Sequence, residues 1–245
     1  MARSLRLLFE IGVRTLSEDA GPSELARRIT GHLGCELTAV VPVTERFPKW
    51  ENVNIQRGVD AYLAALRNDA EWFGAPGAGQ RPHESMLSLI STSPQGRAIA
   101  IAGSRSIRFS GPGDARSGAA SYGTAAVGPE ENTEVVTFGL VTATAPDGAP
   151  VVIGIRDESQ FGSPFCSLEI LAADRSAAAA TRDEIERLMR LHDVFRRQVL
   201  SFTQSEHHGN ELVSFLPRPA VTAQDLVLPD GVLDSIEQHI IGVAE

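Results

Sequence analysis

Glu134-Val-Val-Thr-Phe-Gly-Leu-Val-Thr-Ala-Thr144, Pro146-Asp-Gly148 and Val151-Val-Ile-Gly-Ile155 follow one another almost without interruption. Two runs rich in β-branched residues flank a turn signal, and this order predicts a β-hairpin. Phe165-Cys-Ser-Leu-Glu-Ile-Leu-Ala172 predicts the next strand. There Cys166, Leu168 and Ile170 alternate with Ser167 and Glu169, which predicts one buried face and one wet face. Strands in succession followed by a helix point to an α+β fold. The expectation is a mixed sheet with a C-terminal packing helix, then an extended linker and a short helix.

That packing helix is the clearest helical signal. Thr181-Arg-Asp-Glu184 has the capping-box pattern, and Ser176-Ala-Ala-Ala-Ala180 can extend the helix backwards. Ile185, Leu188, Met189, His192, Phe195 and Val199 form an apolar stripe at helical spacing, with His192 expected as a hydrogen-bonded core histidine. Glu186–Arg190 and Asp183–Arg187 are spaced to pair on the wet side.

Upstream, Gly21–Gly34 predicts a helix with Ser23 as its N-cap and Gly34 at its left-handed C-terminal position. A strand over Cys35–Val43 and a helix over Asn54–Leu66 complete a small αβα unit. Residues 1–204 are therefore read as one α+β domain, with 1–70 and 80–204 as its subunits. Between them, residues 74–132 are rich in Gly, Pro and Ser, with a helix expected at Met86–Ile90 and a strand at Ala98–Ile101. The polar run Ser205–Asn210 reads as a hinge, and residues 205–245 as hinge, linker and the lead-in to a further module. Leu212–Leu216 is expected as a short strand within it.

Composition narrows the function classes. The 245 residues are 42% hydrophobic and 22% charged, the balance of ordinary globular material. No apolar run has the length of a membrane span, and Glu10 and Arg14 interrupt the leucines of the N-terminus, so export and membrane partners are not expected. Cys35 and Cys166 are distant, form no C-x-x-C pair and read as reduced buried thiols, which fits the cytoplasm. A net charge of −9 argues against nucleic acid as a partner. Abundant Ala and Gly, with Arg far above Lys, suggest a high-GC, actinobacterial genome.

Candidate chemistry is sparse. The one lysine of the chain, Lys49, stands before Trp50 and behind no suitable glycine. Gly74-Ala-Pro-Gly-Ala-Gly79 has the glycine spacing of a phosphate-binding loop, but Gln80 and Arg81 replace the lysine and hydroxyl that such a loop needs. It and Gly111-Pro-Gly113 read as surface loops. Glu206, His207, His208 and Glu211 could suggest a metal, yet they lie in the hinge without the rigid frame a zinc site requires. Neither G-x-S-x-G nor H-E-x-x-H occurs. Trp50, Asn52, Asn54 and Gln56 form a polar-aromatic patch. It is either a contact surface for a ligand or partner or, more simply, a loop whose Asn side chains cap the following helix.

Leu226-Val-Leu-Pro-Asp-Gly231 with Ile236-Glu237 resembles the lead-in to the ATPase module of actinobacterial AAA+ ATPases of the vesicle-fusing and cell-division-cycle kind. Ser167–Arg175, Phe195–Phe202 and Leu212–Arg218 resemble the portion upstream of that module. The resemblance implies a non-catalytic N-terminal region that recruits a client or partner and is linked to a hexameric ATPase. The chain then ends at Glu245 ahead of that ATPase. Its partners would be a protein client or its own ATPase module. ATP and Mg²⁺ are implied only for that module, so no catalytic residue, metal or cofactor is expected here. Ile241 and Gly242 alone resemble the turn that lines the adenine pocket. The alternative is a free-standing α+β protein that binds a small ligand or protein partner.

Overall fold

The protein's structure is a computed structural model. It describes residues 23–67, 71–75, 86–91, 117–157, 165–205, 209–217 and 231–244, together with Asp69, Asp225, Val227 and Pro229. Helix α1 (Glu24–Leu33) begins where Ser23 Oγ accepts the Ala26 N–H at 3.0 Å and ends at Gly34, whose φ is 67°. Both ends match the sequence signals. Leu37–Ala39 form a 3₁₀ turn, so strand β1 (Val41–Pro48) starts later than the β-branched run suggests. A second 3₁₀ turn, Lys49–Glu51, leads into α2 (Asn52–Ala65).

The rest comprises β2 (Phe73–Gly74), α3 (Met86–Ser91), β3 (Gly118–Ala119), β4 (Ser121–Ala126), β5 (Asn132–Thr144), β6 (Pro150–Asp157) and β7 (Phe165–Ala172). Then come α4 (Arg175–Leu191), β8 (Val199–Ser205), β9 (Gly209–Leu216) and α5 (Val232–Ala244). Strands β1 to β7 form one sheet in the order β1-β7-β6-β5-β2-β3, with β4 on β5, while β8 and β9 pair separately. The α+β class stands. The expected mixed sheet does not, because every described pairing is antiparallel. Strands β5, β6 and β7 pair in sequence order, and successive neighbours of this kind run antiparallel. Strand β1 pairs with β7 along its whole length, so the elements of the first 70 residues share the sheet and core of the later ones.

Helices cover both faces of the sheet. On one, α2 and α4 pack over Val141, Ile153, Ile155, Leu168 and Ile170. On the other, α1 and α3 pack over Phe138, Leu140, Val152 and Leu171. This second layer overturns the expected wet face of β7, since Ser167 and Glu169 are only 5% and 6% exposed. Glu169 Oε2 accepts the Met86 N–H at 3.4 Å, and burial holds its carboxyl above the usual carboxylate range despite that bond and the nearby Arg156 charge. Helices α2 and α4 meet at Gly58, where a Cβ would lie 2.6 Å from Met189 Cγ and 2.9 Å from the Ile185 carbonyl oxygen.

Helix α4 departs from its signals at both ends. It starts at Arg175, so Thr181 is not its cap but a buried residue donating to the Ala177 carbonyl at 2.9 Å. It ends at Leu191, which leaves His192 exposed at the C-cap rather than in the core, and Phe195 and Val199 beyond the helix. Arg190 pairs with Glu186 as spaced, whereas Arg187 takes Glu184. Downstream, Ser205 pairs with Gly209 across β8 and β9. The described ends of the polar stretch, Ser205 and Gly209–Asn210, are therefore strand residues of β8 and β9. Glu206–His208, Ala98–Ile101, Gly111–Gly113 and the N-terminal leucines lie outside the described residues. Among the described residues no helix is long and apolar enough to cross a membrane.

Candidate functional site

The 3₁₀ turn Lys49–Glu51 and the first turns of α2 organise the site, because their polar side chains reach across the fold. Asn52 and Gln56, one helical turn apart, both address Val136. Asn52 Nδ2 donates to its carbonyl at 3.3 Å, and Gln56 Oε1 accepts its N–H at 3.0 Å. Gln56 is itself oriented by donating to Asp60 Oδ1 at 2.8 Å. Val136 sits where β5 carries an extra residue against β4, since neighbouring Ser121 and Tyr122 face Phe138 and Val136. Such a bulge disturbs the ladder, and here the two helix side chains supply hydrogen bonds at that point.

Asn54 works on the opposite side of α2. Its Nδ2 donates to Glu51 Oε2 at 2.8 Å and Asp193 Oδ1 at 3.0 Å, while its Oδ1 accepts the Val194 N–H at 3.0 Å. Asp193 Oδ1 also accepts the Phe195 N–H at 2.9 Å. One amide therefore fastens the segment after α4 to the start of α2. Burial pushes the Glu51 carboxyl above the usual range. The Asn54 hydrogen bond opposes this shift, and the Asp193 charge adds to it.

With both segments held, a cavity of about 430 Å³ opens between them and the sheet. Trp50, Asn52, Phe195 and Phe215 wall it on one side, Thr124 and Val135 of β4 and β5 on the other, and Lys49 also lines it. Trp50 meets Phe202 of β8 edge to face at a centroid distance of 5.8 Å, and Phe195 meets Phe215 of β9 at 5.8 Å. Asn52 is only 6% exposed, and its Oδ1 has no hydrogen-bond partner. On the other side of the same turn lies a second cavity of about 320 Å³, lined by Phe47, Pro48, Glu51, Asn54, Met189 and Asp193 among others. Chemically the first cavity offers aromatic faces with Lys49 and Asp157 in its lining, and the second offers three carboxylates, Glu51, Glu186 and Asp193, with Arg190 engaged by Glu186. Among the described residues no group of three His, Cys, Asp or Glu could hold a metal ion.

The polar-aromatic patch expected from sequence is thereby divided. Trp50 and Asn52 line the aromatic cavity, Asn54 lines the acidic one, and Gln56 holds the sheet. None of the three amides supplies the simple helix cap expected, since α2 has no side-chain cap bond. Gly74 lies in β2, where a Cβ would stand 2.4 Å from the Ala119 carbonyl oxygen, so strand packing accounts for that glycine. Residues 76–80 are outside the described residues. Ile241 and Gly242 fall within α5, so the backbone there is helical rather than a turn. Of the two thiols, Cys166 is buried and Cys35 half-buried. Phe195, Phe202 and Phe215 were not legible as site residues, for only the fold brings them to Trp50. Compared with known proteins, the chain matches no family model, and no curated protein or solved structure matches it significantly.

Proposed function

We propose that this chain is a non-catalytic recruitment region that receives a protein client and lies ahead of an AAA+ ATPase module. The observation that carries recruitment is the aromatic cavity, beside which Phe202 stands 64% exposed. Aromatic side chains at a concave surface supply large contact area at low entropic cost, which is the character of a protein-contact anchor. The link to an ATPase rests on the Leu226–Gly231 resemblance and on α5, whose Val232 and Ile236 present apolar surface to solvent.

Photo-crosslinking in the producing cell tests recruitment. A benzoylphenylalanine at Phe202 is expected to trap one dominant protein, and the same group at exposed Ala180 is not. Equal, diffuse labelling at both positions would sink recruitment through this surface. The gene beyond codon 245 tests the ATPase link, where an open frame encoding a Gly-rich loop ending in Lys-Ser or Lys-Thr is expected. Isothermal calorimetry of this chain with Mg-ATP is expected to show no micromolar binding, and a clear isotherm would count against the reading. A free-standing small-ligand binder is the second reading, favoured by a cavity volume within the roughly 300–1,000 Å³ usual for such sites.

A further inference from the structure

Strands β8 and β9 pair with each other, and among the described residues no backbone hydrogen bond joins them to the seven-stranded sheet. A two-stranded hairpin is marginal by itself in water, so its position depends on what holds it against the body of the fold. One tie is at its root, where Asn54 Nδ2 donates to Asp193 Oδ1 and Asn54 Oδ1 accepts the Val194 N–H, each at 3.0 Å. A second is the edge-to-face contact of Trp50 with Phe202, a residue still 64% exposed. The contact of Phe195 with Phe215 lies within 193–216 and makes root and hairpin one unit. Between this unit and the sheet the packing stays open, for Phe195, Val213 and Phe215 wall the aromatic cavity together with Thr124, Val135 and Thr137.

We propose that Asp193–Leu216 is a lid over the aromatic cavity, latched at its root by Asn54 and hinged at the exposed His192, where α4 ends. Hinges are a few element-terminal residues that absorb the change in backbone angles. Segments that open locally are those with few buried apolar side chains. Phe215 is the one buried apolar residue of the hairpin among those described, whereas α4 buries Ile185, Leu188 and Met189.

The latch is built asymmetrically. Asn54 is 2% exposed and belongs to α2, so the body of the fold fixes it. Glu51 Oε2, also on the body side, accepts from Asn54 Nδ2 at 2.8 Å and orients the amide. Asp193 and Val194 stand on the lid side, both half-buried. Losing Asn54 therefore removes both hydrogen bonds at the root in one step, and leaves Trp50 holding a hairpin through a largely solvated ring. The lid does not depend on the recruitment reading, which stands or falls on the Phe202 crosslink.

Hydrogen exchange and thiol labelling of the whole chain test this. Asn54→Ala and Asp193→Ala are expected to speed exchange in Val199–Ser205 and Gly209–Leu216 by about tenfold or more, and to leave Arg175–Leu191 at wild-type rates. Asp193→Asn keeps an acceptor oxygen and is expected to stay close to wild type. Val135→Cys places a thiol in the cavity wall at a position 3% exposed. Its alkylation by iodoacetamide, read from the mass of its own peptide, is expected to be several-fold faster when Asn54→Ala is added. Exchange rising equally in α4 and the hairpin would make Asn54 an ordinary stability contact and overturn the latch. So would hairpin amides already unprotected in the wild type, or Asp193→Asn behaving as Asp193→Ala does. Faster hairpin exchange with unchanged alkylation would overturn the lid, because the cavity would not have opened.

Discussion

Gln56 Oε1 accepts the backbone N–H of Val136 at 3.0 Å across 80 residues of sequence. The amide is buried, so no solvent replaces the bond if the side chain is lost. Gln56→Leu is therefore expected to destabilise the fold by about 1–3 kcal/mol, the cost of an orphaned buried donor. Urea unfolding should show the midpoint falling with an unchanged slope. An unchanged midpoint would mean that the bulge in β5 needs no clamp.

Gly58 is expected to be intolerant for a steric reason. Met189 can swing away from an added methyl, but the Ile185 carbonyl belongs to the α4 backbone and cannot. Gly58→Ala should lower stability by about 1–3 kcal/mol through displacement of the two helices, although alanine favours helix more than glycine does. Thermal melts of the variant and wild type decide between these opposing effects.

Glu169 gives the fold a pH dependence of defined sign. Burial raises its carboxyl above the unfolded value, so folding favours the protonated form. Its contribution is full below the usual carboxylate range and declines as pH rises through the raised value. Glu169→Gln lacks that decline. Stability measured against pH should show wild type losing ground to the variant as pH climbs through the acid range, then a constant gap. Wild type gaining stability relative to the variant as pH rises would reverse the assignment.

Helix α5 is expected to be the weakest of the longer helices. Val232 and Ile236 are exposed, whereas Ile185, Leu188 and Met189 of α4 are buried. Short isolated helices are marginal in water, so amides of Val232–Ala244 should exchange much faster than those of Arg175–Leu191. Equal protection would show that α5 is anchored.

Local signals were readable wherever their partners are local. Ser23 and Gly34 marked both ends of α1, and the strand over Phe165–Ala172 was bounded correctly. Signals whose meaning depends on distant layers misled. Ser167 and Glu169 look solvent-facing until α1 and α3 are placed over them. Thr181 looks like a cap because the alanines before it carry no apolar stripe, although alanine propensity suffices to start α4 upstream. Phe195 fits a helical stripe by spacing, yet the chain has already left the helix. The cavity was the least legible feature, because residues near 50, 124, 136, 195 and 215 have no sequence relationship until β5 and α2 pack.

Lys49 has one more consequence. Apart from the chain terminus it is the protein's only primary amine, and it lies in the wall of the aromatic cavity. Amine-selective acylation thus has a single side-chain target, and its address is the cavity itself. A dye attached there reports occupancy through quenching by Trp50, its neighbour in sequence, without any engineered cysteine. Protection of that amine from acylation by a bound segment would footprint the same surface by mass alone.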